Sequence, residues 1–106
     1  MKSLYYINER MMIQGLDKKE STLAQVNSLR SYIAENSLQT IKLNPHQIND
    51  YYTILHALLF DLEKTGTRYE YFLYYSDEAV AKFIHLYPER WEQIGLYFNE
   101  LKCCSH

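Results

Sequence analysis

The chain has 106 residues, enough for one domain around one core, and its 47% apolar content excludes an intrinsically disordered chain. Its 13 acidic and 11 basic side chains leave a formal charge of −2, which disfavours nucleic acid as the sole partner, because phosphate binding rests on a basic excess. No stretch approaches the roughly 20 apolar residues of a membrane span and no apolar run follows Lys2, so the expectation is a cytoplasmic protein without a signal peptide or a membrane partner.

In chain order, Ser3-Leu4-Tyr5-Tyr6-Ile7 is an apolar and aromatic run that suits a first, buried strand. Asn8 to Glu20 reads as a loop with Gly15 inside it, and the apolar Met11, Met12 and Ile13 imply that part of it folds down on the core. Ser21 is placed to cap a helix that ends at Asn36-Ser37. Leu23, Val26, Leu29 or Arg30, and Ile33 give that helix an inner face, with Gln25, Asn27, Ser28, Ser31 and Glu35 outward. Gln39 to Leu43 is a short, half-polar second strand near a sheet edge.

The clearest local signal is Asn44-Pro45-His46-Gln47. It combines an N-cap acceptor, a proline suited to the first helical position and a glutamine able to reach back. The spacing of Ile48, Tyr51 or Tyr52, Leu55, Leu58, Leu59 and Leu62 predicts a helix from Pro45 to about Thr65, stopped by Gly66. Tyr69 to Tyr75 reads as a third strand. Ser76-Asp77-Glu78 enters a short helix, and the proline after Tyr87 breaks it. Pro88 opens a last helix with Trp91, Ile94, Tyr97 or Phe98, and Leu101 on one side. The order β-α-β-α-β-α-α implies a single α/β domain over residues 1–106, with a small, mainly parallel sheet of three to four strands flanked by helices.

Part of this pattern resembles the N-terminal catalytic domain of serine recombinases, the resolvase and invertase family. Ser21-Thr22-Leu23-Ala24-Gln25 followed by Leu29-Arg30-Ser31-Tyr32-Ile33 is similar to that family's first helix. Gln39 to Leu43 and Tyr71 to Asp77 stand where its second and third strands, and the aspartate after the third, would lie. Placing Tyr6 on the family's tyrosine puts Asn8 in place of an arginine and Arg10 in place of the nucleophilic serine, and Glu78 replaces a second arginine. The resemblance therefore implies a resolvase-like fold without recombination chemistry, which needs a serine nucleophile and arginines to hold the developing charge. It also implies a bacterial or mobile-element setting.

The remaining chemical signals have ordinary structural explanations. Asp77 and Glu78 could form a carboxylate site at a strand end, but the stronger reading is that they stabilise a helix N-terminus through its dipole. His46, His56 and His85 lack metal-ligand spacing, so neither metal nor cofactor is expected. Cys103 and Cys104 are adjacent and cannot staple the fold, which fits a reducing compartment; with Ser105 and His106 they read as an unstructured, oxidation-prone end.

The tyrosines stand out. Eleven Tyr, four Phe and Trp91 exceed what a core of this size requires, and tyrosine is favoured at interfaces because its ring gives area while its hydroxyl tolerates water. Tyr51, Tyr52, Tyr75, Tyr87, Trp91 and Tyr97 are the candidate protein-binding residues. The functional expectation is a non-catalytic interaction module, regulatory or inhibitory, that binds a protein or a second copy of itself. The alternative is a recombinase remnant linked to nucleic acid.

Overall fold

The central strand of the sheet is built late in the chain, and both hydrophobic layers form on it. The computed structural model describes residues 2–105. Its elements are β1 (Leu4–Tyr5), α1 (Lys18–Glu35), α2 (Leu55–Thr65), β2 (Tyr69–Tyr74), α3 (Asp77–Leu86), α4 (Pro88–Gly95) and β3 (Phe98–Cys103). The strands lie in the order β1-β2-β3, and both pairings are parallel. Leu4 lies opposite Phe72, and Phe72 lies opposite Leu101. The chain is thus an α/β fold with a three-stranded, all-parallel sheet.

Alternation along β1 separates two cores. Leu4 and Tyr6 face a cluster with Leu55, Leu58, Leu59 and Leu62 of α2, Val80 of α3 and Ile94 of α4. Tyr5 and Ile7 face a second cluster with Val26 and Leu29 of α1 and with Leu73. One helix therefore covers one face and three cover the other. A parallel sheet needs both faces covered, which explains the nearly continuous apolar run of Tyr71 to Tyr75.

Four expectations from the sequence are corrected. First, α1 starts at Lys18 rather than at Ser21. The Asp17 carboxylate accepts from the Glu20 N–H at 2.8 Å, and Glu20 Oε1 accepts from the Asp17 N–H at 3.1 Å, a reciprocal capping box. Ser21 is buried instead, its Oγ accepting from the Ile13 N–H at 3.1 Å. The earlier start places Ser21, Gln25, Val26 and Leu29 inward and leaves Leu23 exposed.

Second, Gln39 to Leu43 makes only a single bridge, Thr40 with Ser3, and the edge resumes where Tyr52 bridges Tyr6. Third, the segment between these bridges is not helical. The Gln47 N–H donates to the Asn44 carbonyl at 3.0 Å and the His46 N–H to Asn44 Oδ1 at 2.9 Å, so the expected cap closes a turn on itself. The Tyr52 N–H donates to the Tyr5 carbonyl at 2.9 Å and the Ile7 N–H to the Tyr52 carbonyl at 2.8 Å, which commits the backbone to the sheet. Helix α2 consequently begins only at Leu55, and it ends as expected at Gly66, with φ 66°.

Fourth, the last helix stops at Gly95 and Phe98 to Cys103 forms β3. The free side of β2 offers this segment a ladder that a longer surface helix would forgo, a tertiary override of local pattern. Cys104 is consequently buried among Tyr5, Ile7, Leu29 and Leu73 rather than lying in a loose tail. His106 lies outside the described residues.

Candidate functional site

The carboxyl end of β1 is held by a clamp of amides. The Asn8 N–H donates to Gln25 Oε1 at 3.0 Å, and Gln25 Nε2 donates to the Asn8 carbonyl at 2.8 Å. Asn8 Nδ2 donates to the Ala79 carbonyl at 2.9 Å, and Asn8 Oδ1 accepts from the Arg10 N–H at 2.9 Å. These bonds tie β1 to α1 and to the first turn of α3. Each polar atom of both side-chain amides is thereby bonded within the protein. Asp77 and Glu78 are exposed in the first turn of α3, where a carboxylate complements the helix dipole. Among the described residues no group of three or more His, Cys, Asp or Glu side chains could hold a metal ion.

The exposed aromatic groups concentrate on the opposite layer. A ladder of rings climbs from the sheet to the surface: Trp91 packs on Phe72 and Tyr74 at 6.1 and 6.0 Å, Phe83 on Trp91 at 6.4 Å, and Tyr87 on Phe83 at 5.4 Å. His56 of α2 closes the top, edge-on to Tyr87 at 4.6 Å and to Phe83 at 5.1 Å. Phe60 follows His56 by four positions and so occupies the same stripe of α2 one turn on. Phe60, Leu86 and Tyr87 are 67%, 55% and 41% exposed. Beside the ladder is an open hollow of about 450 Å³ whose lining includes Tyr74, Val80, Trp91 and Leu101 together with Asp77 and His85.

Of the six candidate residues, only Tyr87 and Trp91 come together, joined through Phe83. Tyr52 is 5% exposed and its hydroxyl donates to Asp61 Oδ2 at 2.6 Å, which makes it a core residue unable to meet a partner directly. Burial, and then the Asp61 carboxylate, push its pKa well above the usual tyrosine value. Tyr51 packs on Tyr5 at 5.6 Å in the other layer, so the Tyr51-Tyr52 doublet is divided between the two cores. Tyr75 and Tyr97 are half-buried and lend their carbonyls to the Ser105 and Tyr69 N–H groups, both at 2.7 Å. The residues that complete the exposed patch, His56, Phe60 and Leu86, have a signal in the sequence: each falls off the inner stripe of an otherwise amphipathic helix.

A second open groove, of about 580 Å³, follows α1, and its lining includes Glu9, Lys18, Lys19, Leu23, Arg30 and Tyr51. Arg30 lies 3.4 Å from Asp50, which also accepts from the Tyr5 hydroxyl at 2.7 Å. Burial raises the Tyr5 pKa to about 12. No family model matches the chain, and no curated protein or solved structure does. No helix among the described residues is long and apolar enough to cross a membrane.

Proposed function

We propose that this chain is a non-catalytic protein-binding module whose contact surface is the aromatic face of α2 and α3. The observation that carries the reading is the ladder from Phe72 through Trp91 and Phe83 to Tyr87 and His56. Rings fixed from below lose little freedom on binding, and rigid aromatic anchors dominate the energetics of protein interfaces. Phe60 and Leu86 extend the apolar area, and residues 44–106 carry nine acidic against five basic side chains. The matching partner presents apolar side chains inside a basic rim. The α1 groove is the surface for the nucleic-acid alternative, but Asp50 already pairs with its Arg30 and Glu9 is part of its lining, so the protein reading is preferred.

Affinity capture from nuclease-treated lysate of the source cells tests it, with wild type beside a Phe60→Ala, Tyr87→Ala variant. The expected result is one protein retained in stoichiometric amount by wild type and lost by at least about 10-fold in the variant. Equal retention by both would remove this face, and retention abolished by nuclease would move the function to the α1 groove.

A further inference from the structure

Along α3, Asp77, Val80, Ala81, Ile84 and His85 fall at i, i+3, i+4, i+7 and i+8, one stripe of the helix. That stripe forms one wall of the hollow of about 450 Å³, and Tyr74 of β2, Leu101 of β3 and Trp91 of α4 complete the lining. The Tyr74 and Trp91 rings meet at 6.0 Å with their planes 71° apart, so they form a corner. Tyr74 is 8% exposed, yet its hydroxyl has no hydrogen-bond partner among the described residues. None of those residues has an orphaned buried polar side-chain atom, so this hydroxyl keeps an outlet to solvent, and the hollow is the open space that Tyr74 lines. Tyr52 is buried to a similar degree, but there Asp61 satisfies the hydroxyl from within.

Asp77 supplies the charge. Its carboxylate has no hydrogen bond or ion pair among the described residues, and neither lysine nor arginine lines the hollow. Burial, and then the Asp77 carboxylate, raise the Tyr74 pKa, so the two groups feel each other. A carboxylate beside aromatic rings is the chemistry that holds an organic ammonium ion. The rings attract the cation, the carboxylate neutralises it, and aliphatic side chains cover the body attached to it. An anion would meet Asp77 with no cation to offset it. We infer that this hollow binds a small organic amine in its protonated form, the ammonium donating to the Asp77 carboxylate and the Tyr74 hydroxyl oxygen while its apolar body lies against Trp91, Val80, Ile84 and Leu101. The volume suits a small ligand, since such pockets run from about 300 to 1,000 Å³. The site shares Trp91 with the aromatic ladder but needs no protein partner, so its test stands apart from the capture experiment.

Trp91 is the single tryptophan of the chain, so its fluorescence reads the site directly. The test titrates the full chain with three probes of one shape and different charge: 2-phenylethylammonium, 2-phenylethanol and phenylacetate. The ammonium is expected to give a saturable change with a dissociation constant of about 1 mM or tighter. The alcohol and the carboxylate should bind at least about 10-fold more weakly. Asp77→Asn, checked for folding by circular dichroism, should lose at least about 10-fold in affinity for the ammonium. Glu78→Gln removes the neighbouring charge, which lies outside the lining, and should stay within about 2-fold of wild type. No saturable change up to about 10 mM ammonium overturns the proposal. So does an alcohol or carboxylate that binds as tightly, a folded Asp77→Asn variant with wild-type affinity, or a Glu78→Gln loss equal to that of Asp77→Asn. The probe series on wild type needs no variant, so it decides the matter even where Asp77→Asn fails to fold.

Discussion

Gln25 makes two hydrogen bonds to the backbone of one residue, Asn8, from a fully buried position on α1. Replacing it with leucine keeps the volume but strands a backbone N–H and a carbonyl, each costing about 1–3 kcal/mol when buried without a partner. Gln25→Leu is expected to lower stability by about 2 kcal/mol or more, read as a fall in the urea midpoint at unchanged slope. A loss below about 0.5 kcal/mol would mean that water substitutes for the amide. The sequence places this glutamine on the outer face because amides are mostly exposed. Its partner is a backbone 17 positions away, and side-chain periodicity carries no trace of a backbone partner. Tyr52 is a similar case: its doublet suggested a ring at the surface, but Asp61 supplies the acceptor that lets it be buried.

At the scale of elements, the Asp17–Glu20 box decides where α1 begins. Asp17→Ala should cost about 1 kcal/mol, measured in thermal unfolding. An unchanged midpoint would show that the first turn is held by packing alone. Elements with local stop and start signals were readable in advance: Gly66 ends α2, Asp77 and Glu78 open α3, and Pro88 opens α4. The β2 strand was equally plain because it is apolar on both faces. Where sequence pattern and structure differ, two structures compete for one signal. Asn44 and Gln47 can cap a helix or close a turn, and the backbone of Tyr52 is claimed by β1. Trp91, Ile94 and Leu101 have helical spacing, yet Leu101 sits in a strand because β2 had an unpaired side. The candidate site was half legible for the same reason: Tyr87 and Trp91 were visible, whereas the other partners meet only after α2 and α3 pack.

The whole molecule buries an unusual number of weak acids in their neutral form. Burial raises Tyr5 and Tyr6 to about 12 and Cys104 to about 11, and it raises Tyr52 and Tyr74 as well. Unfolded, the thiol would ionise near 9.0 and the phenols near 10.0. A group whose folded value is raised stabilises fully below its unfolded value and loses that contribution as pH climbs through the folded one. The melting temperature is therefore expected to hold up to about pH 9 and then fall through about pH 12, with tyrosinate absorbance appearing together with unfolding. A melting temperature that is level to pH 11 would contradict the burial of these groups.

The late position of β2 has a consequence for the birth of the molecule. Leu4 pairs with Phe72, so at about 5–20 residues per second the ribosome needs roughly 3–14 s to make the intervening chain. Val26 and Leu29 of α1 wait for the same strand, since Leu73 belongs to their cluster. Until β2 emerges, the segments translated before it lack the central strand on which both layers close. During that interval the run from Leu4 to Ile7 is an exposed apolar segment of the kind that chaperones bind.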